Sequence, residues 1–167
     1  MKSTKRLAFL AKFFILIGAS RKEVAEKIGL TTYAISHWFI NDDMFIHHLQ
    51  SICAAYGYTV SLTFDNCCSS SNPGNCVLAA LDEALSRLGV THARLAELMN
   101  VKTSRIDYLL RSGRVRLSQL IDIANSAGLH IRLDIYPCTA GNVRVQKQSD
   151  GLRFITNIAS QKFTFDI

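Results

Sequence analysis

Residues 20–38 read SRKEVAEKIGLTTYAISHW, and residues 91–109 read THARLAELMNVKTSRIDYL. Both stretches open with a hydroxyl side chain, Ser20 or Thr91, suited to accept a hydrogen bond from the free N–H groups of a helix start. Glu23 follows Ser20 by three residues and completes a capping box, so a short helix is expected over 21–28. Arg94 holds that place after Thr91 and leaves only the hydroxyl half of the box. Gly29 and Asn100 then stand where a tight turn needs a left-handed backbone, which glycine adopts freely and asparagine tolerates. A further helix is expected after each turn, over 32–40 and 103–111. Ile35 and Trp38 in one, Ile106 and Leu109 in the other, recur at a spacing of three and belong to a core.

Outward from these stretches the chain repeats itself. A displacement of 71 positions lays residues 5–64 on 76–135 without a gap. Leu7, Leu10, Phe14 and Ile17 fall on Leu78, Leu81, Leu85 and Leu88, at helical spacing, and Gly18 falls on Gly89 as a stop. A fourth helix is expected over 45–56 and 117–127, ended by Gly57 and Gly128. Beyond those glycines the period changes to two: Val60, Leu62 and Phe64 match Ile131, Leu133 and Ile135, each set reading as a half-buried strand. Between the copies, Ser69-Ser70-Ser71-Asn72-Pro73-Gly74 marks a linker. After Pro137 the tail offers a hairpin, 143–148 and 152–158 around Ser149-Asp150-Gly151, and a last short strand within 161–165. The expected organisation is a first unit over 1–64, a linker over 65–75, a second unit over 76–137 and a β tail over 138–167. The fold class is mainly α with a small β component: two four-helix units, each ending in a strand, plus a C-terminal β-hairpin.

In the quoted stretches, two short helices joined by a glycine-type turn resemble the helix-turn-helix of the lambda repressor/Cro (XRE-like) family, here in two tandem copies. Ala25 and Ala96 match the small residue where that family's helices cross, and Ile35 and Ile106 match its buried aliphatic. The helix-then-strand ending is similar to antitoxin-like and phage-type members that dimerise through a C-terminal strand. The chain departs from the family in two places. Arg21 and His92 stand where glutamine commonly supports the recognition residues and touches phosphate. Asn41-Asp42-Asp43 replaces the glycine turn after the first recognition helix.

The resemblance implies double-stranded DNA as partner and a sequence-specific transcriptional regulator, a repressor of a mobile element or phage-like operon. It places Thr32, Tyr33, Ser36 and His37 of the first copy toward the major groove, and Thr103, Ser104, Arg105, Asp107 and Tyr108 of the second. Arg105 suits a guanine edge and threonine a thymine methyl. Lys102, Arg105, Arg111, Arg114 and Arg116 gather along and beyond the second recognition helix, as phosphate contacts would. Asp42 and Asp43, at the corresponding turn of the first copy, are expected to repel the DNA backbone. An 11-residue linker, at about 3.5 Å per residue, can just span the roughly 34 Å between half-sites. One chain can then act as a pseudo-dimer reading an asymmetric site, its two strands paired with each other. A homodimer through the tail would instead read four half-sites. The alternative is a protein-interaction module, an antitoxin or antiactivator, which Asp42-Asp43 and the apolar tail favour.

Composition fits either reading. The chain holds 19 Lys and Arg against 13 Asp and Glu, a formal charge of +6 that suits an anionic partner. With 49% hydrophobic and 19% charged residues it is globular. Five irregularly spaced cysteines point to a reducing cytoplasm. Cys67, Cys68 and Cys76 fit no zinc knuckle, and His47, His48 and Cys53 share no helix face, so no metal is expected and the histidines read as surface polarity. Lys2, Lys5 and Arg6 before an apolar run look like a signal peptide, but Lys12 interrupts the run and the repeat accounts for it. No apolar stretch reaches the roughly 20 residues of a membrane span. With no phosphate loop, nucleophile elbow or HExxH, neither an enzyme nor a cofactor is expected. Asp82-Glu83 reads as a solvated face.

Overall fold

A computed structural model describes residues 6–64, 77–138 and 163–166. The elements run α1 (Ala8–Leu16), α2 (Arg21–Ile28), α3 (Thr32–Asn41), α4 (Ile46–Ala55), β1 (Tyr58–Phe64), α5 (Val77–Arg87), α6 (His92–Leu98), α7 (Thr103–Ser112), α8 (Leu117–Ser126), β2 (Ile131–Pro137) and β3 (Phe163–Asp166). The fold is mainly helical, with one small antiparallel sheet in the order β1-β2-β3. The expected linker, the hairpin around 149–151 and Cys67, Cys68 and Cys76 lie outside the described residues. Among the described residues no helix is long and apolar enough to cross a membrane.

Local chemistry sets the helix ends. Ser20 Oγ accepts from Glu23 N at 3.3 Å and the Glu23 carboxylate accepts from Ser20 N at 2.7 Å, so the capping box starts α2. The Ser20 backbone N–H, then its hydroxyl, holds the Glu23 pKa below the usual carboxylate value. Thr91 caps α6 by its hydroxyl alone. Gly29 and Asn100 take φ of 71° and 53°, the left-handed turns expected of them. α2 packs on α3 and α4, and α6 on α7 and α8. Ile35, Trp38, Ile106 and Leu109 are buried with them. The last helix of each half is followed by a left-handed glycine, Gly57 or Gly128, and the sheet begins soon after.

The halves meet at two places, and both obey the sequence repeat. Leu62 faces Leu133 in the antiparallel β1–β2 pair, and Phe45 faces Arg116 in an isolated antiparallel bridge. In each place the partners are 71 positions apart, the displacement that superposes the halves. The hydrogen bonds flanking the bridge are equivalent in the same way: Ile46 N–H donates to Val115 O at 3.0 Å and Leu117 N–H to Met44 O at 2.8 Å. A residue that pairs with its own equivalent lies on a two-fold axis. The halves are thus related by an approximate dyad through Leu62/Leu133 and Phe45/Arg116. Leu62, Leu133, Met44, Val115, Ile46 and Leu117 are all buried, and the two halves share one continuous core.

Asp42 and Asp43 do not present their charge outward as the sequence suggests. Asp42 takes the left-handed conformation (φ 50°) that Gly113 takes in the second half, and its carboxylate accepts from the backbone N–H of Arg6 and Leu7 at 2.7 and 2.9 Å. Asp43 crosses the dyad. Its Oδ1 accepts from Met44 N and Ser118 N, both at 3.0 Å, and its Oδ2 from the Ser118 hydroxyl at 2.8 Å. A residue of the first half therefore caps α8 of the second. Asp43→Ala leaves the Ser118 N–H without that acceptor and is expected to lower stability by about 1–2 kcal/mol, read as a shift in the urea midpoint.

Candidate nucleic-acid interface

Helices α3 and α7 occupy equivalent positions about the dyad, and each turns one face outward. On α3, Thr32 and His37 are exposed, Tyr33 is 75% exposed, and Ser36 is half-buried. Its polar groups are partly satisfied within the helix: the Asn41 amide bonds the His37 ring at 2.9 Å, and the Tyr33 ring lies beside it. Ile40, one turn on, is 75% exposed. Arg21 lies with its guanidinium 4.5 Å from the centre of the Phe39 ring, pinned between α2 and α3. Arg21 thus brings a cation to the edge of this face, beside Ser36 and Ile40.

The α7 face differs. Lys102 stands before the helix, Thr103, Ser104 and Arg105 fill its first turn, and Tyr108 is 61% exposed. Arg111 in the last turn and Arg114 just past the end of the helix extend the exposed row. The side chains of Lys102, Arg105, Arg111 and Arg114 have no acidic partner among the described residues. A shallow open depression bordered by Asn100, Val101, Lys102, Ser104, Arg105 and Tyr108 lies at the α6–α7 turn. An unpaired guanidinium on a first helical turn can donate two parallel hydrogen bonds to one planar acceptor edge.

Three residues grouped with these by sequence do other work. His92 Nδ1 lies 2.7 Å from the Asp107 carboxylate and Nε2 lies 2.8 Å from that of Asp82. When both nitrogens are protonated, the imidazolium donates to both carboxylates and ties α5, α6 and α7 together. Its bonds to Asp82, then to Asp107, hold its pKa above the ordinary value, against the opposing effect of burial. Asp107 is thereby drawn back from the outer face, and Asp82 is bonded rather than merely solvated. Arg116 sits 3.6 Å from Asp43 and 4.7 Å from the centre of the Phe45 ring, so it belongs to the junction between the halves.

The His92 brace makes stability pH-dependent. A histidine whose folded pKa is raised contributes stability that is full below its unfolded value near 6.5 and is lost as pH rises through the folded value. The melting-temperature gap between the native chain and His92→Gln should therefore be widest below about pH 6.5 and narrow as pH rises through the raised folded value.

His47 and His48 are half-buried, not plain surface polarity. The His47 ring stacks on Phe45, and His48 packs on Trp38 with ring centres 5.0 Å apart. Burial, then the neighbouring His47, lowers the His48 pKa. Burial pushes the Cys53 thiol up to about 12, which leaves it unreactive. Among the described residues no group of three or more His, Cys, Asp or Glu side chains is placed to hold a metal ion. Sequence reading missed the roles of Asp43, Asp82 and the His92–Asp107 pair. The one available signal was the repeat itself, which aligns Met44 and Ile46 with Val115 and Leu117 as apolar positions flanking an irregular turn. Searches against protein families, characterised proteins and solved structures find no match to the chain.

Proposed function

We propose that the chain is a sequence-specific DNA-binding transcriptional regulator of the lambda repressor/Cro type, with helix-turn-helix units over 1–64 and 76–137. In each unit the helix after the turn, α3 or α7, enters the major groove of double-stranded DNA by its N-terminal part. The observation that carries this reading is the α7 face: Lys102, Arg105, Arg111 and Arg114 are exposed and have no acidic partner among the described residues. Lys102, Arg111 and Arg114 neutralise phosphates, and Arg105 reads a guanine edge. Thr32 and Thr103 offer methyl groups to thymine. His92 and Asp107 brace the reading helix without touching a base. The chain acts without catalysis or cofactor, as a repressor that occupies its operator in a reducing cytoplasm.

A second reading, an antitoxin or antiactivator that binds a protein, is supported by Tyr33 and Ile40, each 75% exposed on one helix. Selection from a random duplex pool by the full chain separates the two. Enrichment of one motif is the expected result. No enrichment at low salt, with a stoichiometric polypeptide complex instead, would overturn the DNA reading in favour of the second.

A further inference from the structure

Resting on the DNA reading above, we infer that a single chain, closed on itself about its dyad, is the complete binding unit and reads one non-palindromic duplex site. Two observations carry this. The first is that the junction fits unlike halves better than like ones. Residues on a dyad meet their own equivalents, so a second half paired with another chain's second half would set Arg116 against Arg116. Within the chain, Arg116 instead lies over the Phe45 ring at 4.7 Å and near Asp43. Asp43 puts a carboxylate on the N-terminus of α8, where the helix dipole favours an anion. Its equivalent in the second half is Arg114, and like pairing would bring that cation to the same helix end. The sheet does not choose between these arrangements, since pairing second halves would set Arg132 opposite Asp134. The bridge at Phe45 and Arg116 does choose.

The second observation is that the two outward faces, held in equivalent positions by the dyad, differ at the residues able to touch DNA. Where the second half has Lys102, Arg105, Arg111 and Arg114, the first has Thr31, Ala34, Ile40 and Asp43. Thr31 and Asp43 are moreover committed as caps, Thr31 accepting from Ala34 N at 3.2 Å. Four cations on one face, against Arg21 beside the other, place most of the phosphate affinity on the second half-site. They also place a guanine there, and contacts from Tyr33 and His37 at the first. A palindrome would mismatch one face whichever way the chain lay.

The test combines DNA with a DNA-free arm on the full chain. Expected are a selected motif without dyad symmetry and one chain per duplex by native mass spectrometry. Binding to either inverted-repeat derivative of the motif should be weaker by about 10-fold or more. A symmetric motif bound by two chains overturns the inference and leaves DNA binding standing. In the DNA-free arm, the Phe45→Cys/Arg116→Cys variant is oxidised and digested. The bridge is a non-hydrogen-bonded antiparallel pair, whose Cα separation of roughly 4.5 Å accepts a disulfide. A 45–116 link within one chain supports the inference even where no duplex is bound, whereas 45–45 links between chains overturn it. Intrachain closure with no selected motif would instead sink the DNA reading, and the asymmetric site with it.

Discussion

Arg105→Ala is expected to lower the affinity of the chain for its selected duplex by about 10- to 100-fold, which corresponds to roughly 1–3 kcal/mol for the proposed bidentate base contact. The side chain is exposed and has no acidic partner among the described residues, so its removal leaves the helix, the caps and the core in place. Alanine is the best helix former, so α7 itself is not weakened. The loss should depend on the base: on a duplex whose recognised guanine is replaced, native and variant chains bind alike. Lys102→Ala provides the contrast. It weakens binding to every duplex by a similar factor and reduces the salt slope by about one, as expected for a phosphate contact. Fluorescence anisotropy on four duplexes separates the two behaviours.

Leu133→Ala is expected to have the largest effect on stability. Leu133 is fully buried, sits on the dyad opposite Leu62, and lies in the core shared by both halves. Truncating such a leucine removes its transfer free energy and leaves a cavity that the paired strands cannot close, a loss of about 2–5 kcal/mol. For a chain of this size the melting temperature should fall by roughly 5–15 °C. Because the site is common to both halves, calorimetry should show one transition moving down as a whole. A split into one shifted and one unshifted transition would mean that the halves fold as separate cores.

Much of this fold is legible in the sequence because its signals are local. Ser20 with Glu23 and Thr91 begin helices, Gly29 and Asn100 supply left-handed turns, and the apolar spacing changes from helical to alternating after Gly57 and Gly128. Each of these depends on neighbours within a few residues. The 71-residue displacement carries further than any single motif, since it also sets the register of the sheet and of the bridge. What remained hidden is long-range polar pairing. Asp42 and Asp43 read as charges that repel a DNA backbone until the fold brings Arg6 and Leu7 to the one and Ser118 to the other. His92 stands where the family resemblance implies a phosphate contact, and only the placement of Asp82 and Asp107 turns it into a brace. Arg105 is exposed on the first turn of α7, a placement that depends on nothing distant.

The most direct measurement is the affinity of the full chain for the selected duplex and for a scrambled one of equal composition, from about 50 to about 200 mM salt. The proposal predicts tighter binding to the selected duplex throughout. It also predicts a log–log salt slope of about −3, as three cations on phosphates would produce. Equal, weak binding to both duplexes with a shallow slope would contradict it.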